Sequence, residues 1–263
     1  MTEISAAMVK QLRDATSAGM MDCKRALQET DGDFDAAVKL LRERGMAQAA
    51  KRAGRETSEG RVVVSTGDGV GTIVAVACET EPVSKNDEFQ AFVDRVLDTV
   101  ASGGDAASLE QERVELSAKL GENVQVVGTK RMEASDGEVL ASYVHSPANK
   151  VGALVRAKGD PDTARSLALH LTFARPTYGS RDEVPSELVE AEREILQRSE
   201  EVQSKPENVR DKIVDGMLNK RFYGESVLTE QQWYRPEQAS GTVAQVLKEH
   251  GVELVDYAWY SVS

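Results

Sequence analysis

The sequence contains few of the residues that cross-link small domains or bind metals. Its 263 residues include two cysteines, Cys23 and Cys78, and three histidines. Both cysteines have apolar neighbours, and free cysteine commonly packs as a small hydrophobic residue, so we expect buried thiols and no disulfide framework. The histidines and cysteines show no metal-ligand spacing. The sequence therefore predicts neither a bound metal nor a cofactor.

Long apolar runs and positive charge are also scarce. No stretch of about 18 apolar residues occurs and no signal-peptide core opens the sequence, so we expect a cytoplasmic protein with no membrane partner. Aromatic residues make up 5% of the chain, which leaves the core to aliphatic packing. The 32 basic residues are outnumbered by 44 acidic ones, giving a formal net charge of −12. Such a field repels phosphate backbones, so we expect no direct nucleic-acid partner.

Three helical patterns open the sequence. Apolar residues at helical spacing predict a helix over 5–15, and a small-residue break at 17–19 precedes a second helix that starts at Met20. We expect Met20 to lie on the buried side of that helix. Asp33 is the predicted N-cap of a third helix, which Gly45 should end. The charged stretch that follows, up to Gly60, is expected to be a partly helical linker.

From Arg61 the hydrophobic period changes from that of a helix to the alternation that is typical of strands. An α+β unit follows, with strands predicted at 61–64, 71–78, 124–130 and 139–144, and helices at 86–100, where Asn86 is the N-cap, and 108–120. A second unit consists of a strand at 151–157, a helix capped by Asp162 that stops before Pro176, a capping box at 242–245 and the last strands within 252–262.

Residues 185–225 have a different character. Two apolar stripes at helical spacing flank a turn at 204–206. Two charged helices joined by a short turn predict an antiparallel helical hairpin. Because the α+β pattern resumes after it, we expect this hairpin to be an insertion.

The stretch at 12–27 reads LRDATSAGMMDCKRAL and is followed by an Asp-Gly-Asp turn. This stretch resembles the N-terminal signature of the bacterial elongation factor Ts family, the nucleotide exchange factors of elongation factor Tu. Further matches to the family are 71–83, the 86–100 helix with its Phe-Gln-Ala-Phe, 143–145 with 151–155, and 242–243 with 247–250. Their shared order and spacing extend the resemblance over essentially the whole chain.

The resemblance implies an α+β fold class with a two-part core of antiparallel sheets. Its parts would be a ubiquitin-associated-like three-helix domain with linker at 1–54, a core N-subdomain at 55–140, a core C-subdomain at 141–185 and 225–263, and a coiled-coil hairpin insertion at 186–224. The implied function is guanine nucleotide exchange on Tu, by protein binding rather than by enzyme catalysis. GDP release would follow a disturbance of the magnesium and phosphate site of Tu.

By motif match, Arg13, Met20 and Met21 would dock on the GTP-binding domain of Tu. Methionine suits this task because its side chain is long, polarizable and adaptable. The alternative is that Met20 and Met21 only fill the small helical core. Adjacent helical residues point about 100° apart, so both cannot face one core equally.

Thr80, Glu81, Pro82 and Val83 align with the family loop that displaces magnesium, where the usual pattern is Thr-Asp-Phe-Val. Glu81 keeps a carboxylate on a longer side chain, whereas Pro82 lacks the aromatic wedge. Proline fixes φ at about −65° and would act as a smaller rigid wedge. Alternatively, this segment is a structural turn, and the chain is a Tu-binding scaffold with weakened exchange activity.

His145 matches a family histidine and is a candidate contact with Tu, although a lone histidine is more often structural. The hairpin at 186–224 would be a second Tu contact, a self-association surface or a solvated helical extension. A different class of protein, a thiol enzyme that uses Cys78 with His145, would need an exposed thiolate with a low pKa. An apolar strand end does not favour such a thiolate.

Overall fold

The computed structural model describes residues 4–16, 18–234 and 239–263. It begins with three helices, α1 (Ala6–Thr16), α2 (Met20–Glu29) and α3 (Phe34–Arg52). They enclose a small aliphatic core that includes Leu12 and Leu27. Asp33 caps α3, as predicted, because its Oδ1 accepts the N–H of Ala36 at 3.0 Å. Ser17, in the predicted break, lies outside the described residues.

Two predictions for these helices are wrong. Gly45 does not end α3, which continues without a break to Arg52, through the part of the linker that was expected to be partly helical. A Cβ on Gly45 would lie 3.0 Å from the Cβ of Ala118, so glycine allows α3 to pack closely against helix α6 (Glu110–Leu120). Met20 is 54% exposed rather than buried. The end of α3 and the exposure of Met20 both depend on which parts of the protein pack against the helix, and the spacing of apolar residues does not reveal this.

The first half of the core is a three-stranded antiparallel sheet. Its strands are β1 (Glu59–Gly67), β2 (Val70–Cys78) and β3 (Gln125–Glu133), in the order β1-β2-β3. After β2 comes a one-turn helix, α4 (Glu81–Ser84), where the sequence predicted a loop, and then α5 (Asp87–Ala101). Asn86 caps α5, as predicted. The apolar face of α5, which includes Phe89 and Phe92, covers one face of the sheet.

The second half of the core repeats this arrangement. Its antiparallel strands are β4 (Glu138–Val144), β5 (Val151–Lys158) and β6 (Glu253–Ser261), in that order. Helix α7 (Pro161–Ala174) packs on one face and buries Leu167 and Leu171. Asp160, rather than the predicted Asp162, caps α7, because its Oδ2 accepts from the N–H and the hydroxyl of Thr163.

A helical segment separates α7 from the last strand. It comprises α8 (Ser186–Arg198), α9 (Glu200–Gln203), α10 (Glu207–Met217), a π-helical stretch (Leu218–Tyr223) and α11 (Gly224–Ser226). An apolar cluster that includes Leu196, Val202 and Val214 joins α8 to α10. The predicted pair of helices is therefore present, whereas its assignment as a coiled coil and the domain boundaries remain predictions. A further helix, α12 (Val243–Glu249), begins at the predicted capping box of Thr242 and Gln245.

The two sheets pack face to face and share a core. Ile73 and Met132 of the first sheet cluster with Leu154 of the second. A Cβ on Gly128 would lie 2.3 Å from the ring of Tyr260, so this ring rests against the backbone of β3. The described core thus has four layers: α5, the first sheet, the second sheet, and α7.

Replacing Gly45 should force α3 away from α6. We expect Gly45→Leu to lower the free energy of unfolding by about 1–3 kcal/mol, because extra side-chain volume strains a close contact. Gly216, in α10, is a matched control, since a Cβ there meets nothing within 4 Å. Gly216→Leu should raise stability by about 0.5–1 kcal/mol through helix propensity. Urea unfolding measures both values, and equal changes would contradict the close packing at Gly45.

Candidate functional site

The predicted docking residues lie on the surface of the N-terminal helices. Met20 and Met21 begin α2 and are 54% and 63% exposed, so neither fills the three-helix core. Arg13, in the last turn of α1, is also exposed. Asp22 follows in the first turn of α2 and pairs with Arg25. The start of α2 therefore presents two long apolar side chains next to charged groups.

Thr80–Val83 follows the end of β2 and comprises the N-cap residue and the first three residues of α4. Glu81 and Pro82 are exposed, and Val83 is half-buried against the core under α5. Pro82 lies in the first turn of α4, where its missing N–H removes no intrahelical bond. Glu81 accepts a hydrogen bond from Lys85 at 2.7 Å, and this bond lowers the pKa of the Glu81 carboxyl, which is ionised at neutral pH. The segment is thus a defined turn that presents a carboxylate and a rigid ring.

Cys78 precedes this segment and is fully buried. Its thiol donates to the carbonyl oxygen of Thr80 at 3.4 Å. Burial, with a smaller contribution from the negative charge of Glu122, raises the pKa of the Cys78 thiol to about 12. The thiol is therefore protonated at neutral pH, which is the opposite of what thiol catalysis requires.

His145 belongs to an aromatic cluster formed by Tyr143, His145, Phe173 and Tyr234. Its Nδ1 lies 3.3 Å from the Tyr143 hydroxyl, and its ring meets Phe173 edge-on at a centroid distance of 5.0 Å. Phe173 stacks on Tyr234 at 4.4 Å, and these side chains are 38% and 45% exposed. Of these residues, the sequence indicated only His145 as a candidate contact, because Phe173 and Tyr234 come from remote segments that no local pattern connects.

A buried histidine on α7 fixes the position of Tyr234. The Nδ1 of His170 accepts the N–H of Tyr234 at 3.1 Å, so its Nε2 donates to Oε1 of Gln231 at 2.9 Å. The His170 ring stacks on Trp233. Burial lowers the pKa of His170, which favours the neutral ring that these two bonds require.

The turn at 145–150 reaches the beginning of the first sheet. Lys150 Nζ donates to Oε1 of Glu59 at 2.5 Å. Glu59 lies opposite Cys78 in the β1–β2 ladder. The structure therefore brings the turn at 145–150 and the segment Thr80–Val83 to the same end of the core.

Within residues 4–16, 18–234 and 239–263, no group of three or more His, Cys, Asp or Glu side chains is arranged to hold a metal ion. No helix in the same ranges is both long and apolar enough to cross a bilayer. The surface instead offers exposed methionines on α2, an acidic turn with a rigid ring at α4 and an aromatic cluster. Aromatic residues and methionine are enriched in protein interfaces, so these features are typical of the class of proteins that act by contact with another protein.

Comparison with known proteins defines the family. The family model described as elongation factor TS matches residues 79–263. Elongation factor Ts of Shewanella amazonensis is 39% identical over 259 residues, which cover 97% of this chain and 89% of that relative. The proteins of the same name from Vibrio vulnificus and Escherichia coli are each 38% identical, and the matches cover 97% and 100% of this chain and 90% and 92% of those relatives. The chain belongs to the elongation factor Ts family.

The raised pKa of Cys78 predicts a chemically inert thiol. At pH 7.5 we expect iodoacetamide to leave Cys78 unmodified in the folded protein, because burial keeps the thiol protonated and out of contact with the reagent. In urea the same cysteine should react fully, which serves as the control. Mass spectrometry of the peptides reports the modification, and rapid labelling of folded protein at Cys78 would revive the thiol-enzyme alternative.

Proposed function

We propose that this protein is the guanine nucleotide exchange factor of elongation factor Tu and promotes GDP release during translation elongation. The observation that carries the proposal is membership of the elongation factor Ts family over nearly the whole chain. The exposed start of α2 and the exposed residues Thr80, Glu81 and Pro82 support it, because they occupy the two segments that the family resemblance assigns to contact with Tu. The protein acts by binding and catalyses no covalent reaction.

Linkage sets the energetics of this function. If a protein binds nucleotide-free Tu more tightly than Tu·GDP, it must weaken the binding of GDP to Tu by the same ratio. A thousandfold faster release corresponds to about 4 kcal/mol of barrier reduction. That free energy has to come from contacts that form only as the magnesium and phosphate site of Tu opens.

In this proposal the two segments have different tasks. Arg13, Met20 and Met21 provide affinity for the GTP-binding domain of Tu, since long apolar side chains adapt to a partner surface. Glu81 and Pro82 act on the magnesium and phosphate site, with an ionised carboxylate and a rigid ring in place of an aromatic wedge.

The aromatic cluster is a further proposed contact with Tu. His145 corresponds to a family histidine, and the exposed rings of Phe173 and Tyr234 extend the same surface. Helix α8, the first helix of the hairpin, carries the exposed apolar residues Leu188 and Ile195, which supports a role of the hairpin in self-association. The second candidate function is a Tu-binding scaffold with weak exchange activity, which the substitution at Pro82 favours.

Truncation of a docking methionine should reduce affinity for Tu. We expect Met20→Ala to weaken binding by about 1–3 kcal/mol, because an exposed anchor loses its buried area in the complex. Met46→Ala is the control, since Met46 is 47% exposed but lies on α3. Titration calorimetry with nucleotide-free Tu measures both constants, and equal affinities in the two variants would remove Met20 from the docking surface.

Restoring an aromatic ring at position 82 should speed nucleotide release. We expect Pro82→Phe to raise the rate of fluorescent GDP release at saturation by about tenfold, about 1.4 kcal/mol of barrier, with affinity for Tu unchanged. Pro82→Ala removes the fixed φ of proline without adding an aromatic ring, so it separates the effect of backbone stiffness from the effect of the missing aromatic ring.

The wild-type chain supplies the test of the function itself. If it binds Tu at saturation without any acceleration of GDP release, it is a scaffold and not an exchange factor. If it accelerates release and Pro82→Phe gives the same rate, the proline ring already serves as the wedge.

A further inference from the structure

Thr80 holds the N-cap position of α4 without using its side chain as a cap. A threonine there usually accepts an N–H from the first helical turn. The hydroxyl of Thr80 instead donates to Oε1 of Glu122 at 2.5 Å. The N–H groups of Glu79 and Thr80 donate to Oε2 of the same carboxylate at 3.1 and 3.0 Å. A single carboxylate from a remote segment therefore determines where the turn Thr80–Val83 begins.

Glu122 is itself held in place by its neighbours. It follows Gly121, which ends α6 in the left-handed conformation at φ 77°. The hydroxyl of Ser117 donates to the carbonyl oxygen of Glu122 at 2.5 Å. The N–H of Asn123 donates to Oε1 of Glu79 at 2.6 Å. The two segments thus bind each other reciprocally, because the Glu122 carboxylate accepts two backbone N–H groups of one segment and the Glu79 carboxylate accepts one of the other.

The segment that contains Glu122 also binds the residues at the end of α3. The Asn123 side chain is buried and donates from Nδ2 to the carbonyl oxygens of Arg55 and Ala53 at 2.8 and 3.3 Å. Gln125 Nε2 donates to the Ala53 carbonyl at 2.9 Å. Because α3 is part of the N-terminal unit that carries Met20, residues 122–123 connect that unit with the turn at Thr80.

We propose that Glu122 is a positioning residue for nucleotide exchange, which holds Thr80–Val83 in the geometry that opens the nucleotide site of Tu. This inference rests on the proposed function. Glu122 acts through Glu79 and Thr80 and needs no contact with Tu. Without its three hydrogen bonds the turn would have to be ordered during binding, and the ordering cost would reduce the free energy available for opening the site.

The experiment measures fluorescent GDP release from Tu at increasing concentrations of each variant. Glu122→Ala should lower the saturated release rate by about tenfold, the scale expected for misplacement of an acting group by a fraction of an ångström to one ångström. The half-saturating concentration should stay within about twofold, because the start of α2 is a separate site. Glu122→Gln should keep most of the rate, since its amide oxygen accepts the N–H groups and its nitrogen donates to the Thr80 oxygen.

Glu183→Ala is the matched control. Glu183 also accepts from a backbone N–H, that of Gly179 at 2.8 Å, and from a hydroxyl, that of Ser180 at 3.3 Å. It lies in the turn before α8, so its loss should leave the saturated rate unchanged. A general effect of removing such a carboxylate would instead slow both alanine variants.

The outcomes separate the two proposals. Absence of acceleration by the wild-type chain overturns the exchange function and with it the role of Glu122. Acceleration by the wild-type chain with an equal saturated rate for Glu122→Ala overturns the role of Glu122 alone. If thermal unfolding shows that Glu122→Ala is not folded, Thr80→Val and Thr80→Ser test the same bond. The valine variant should be slower than the serine variant, and equal rates would overturn the proposal.

Discussion

The rest of the molecule depends on the face-to-face packing of its two sheets. The Tyr260 ring lies against Gly128, where any side chain would collide with it, and the Tyr260 hydroxyl donates to the Thr129 carbonyl at 3.0 Å. Gly71 similarly leaves room for Leu154. Interiors this closely packed do not slide, because a shift would open voids on one side and clashes on the other. The ends of β2 and β4, which lead to the candidate contact segments, therefore keep a fixed separation.

The N-terminal helices are attached to this core through the packing of α3 against α6. Gly45 brings α3 close to α6, Arg42 pairs with Glu115 at 2.6 Å, and Asn123 binds the carbonyl oxygens beyond the end of α3. The exposed ion pair contributes little by itself, so the close packing and the buried amide provide most of the constraint. In the proposed function, a fixed separation between α2 and the turn at Thr80 reduces the ordering cost when both bind one partner.

Interactions between residues close together in the chain could be predicted from the sequence, whereas contacts between remote segments could not. The caps at Asp33 and Asn86 and the Thr242 box are bonds within one turn, and they form as predicted. The role of Gly45 could not be predicted, because it depends on close packing against Ala118 of α6, which is remote from Gly45 in the chain. The segment at Thr80 was found through family resemblance. Glu122 and the rings of Phe173 and Tyr234 were missed because only the fold brings them to their partners.

The substitution at Pro82 has a limited structural effect for the same reason. The start of α4 is determined by Glu122 and by the first-turn position of the proline, neither of which needs an aromatic ring at position 82. The ring of Pro82 is exposed and supports no part of the core. Exchanging the residue therefore changes the shape and reach of the exposed turn while its backbone stays in place. In the proposed function this confines the consequence to the step in which Tu opens, because the affinity residues on α2 belong to a different part of the fold.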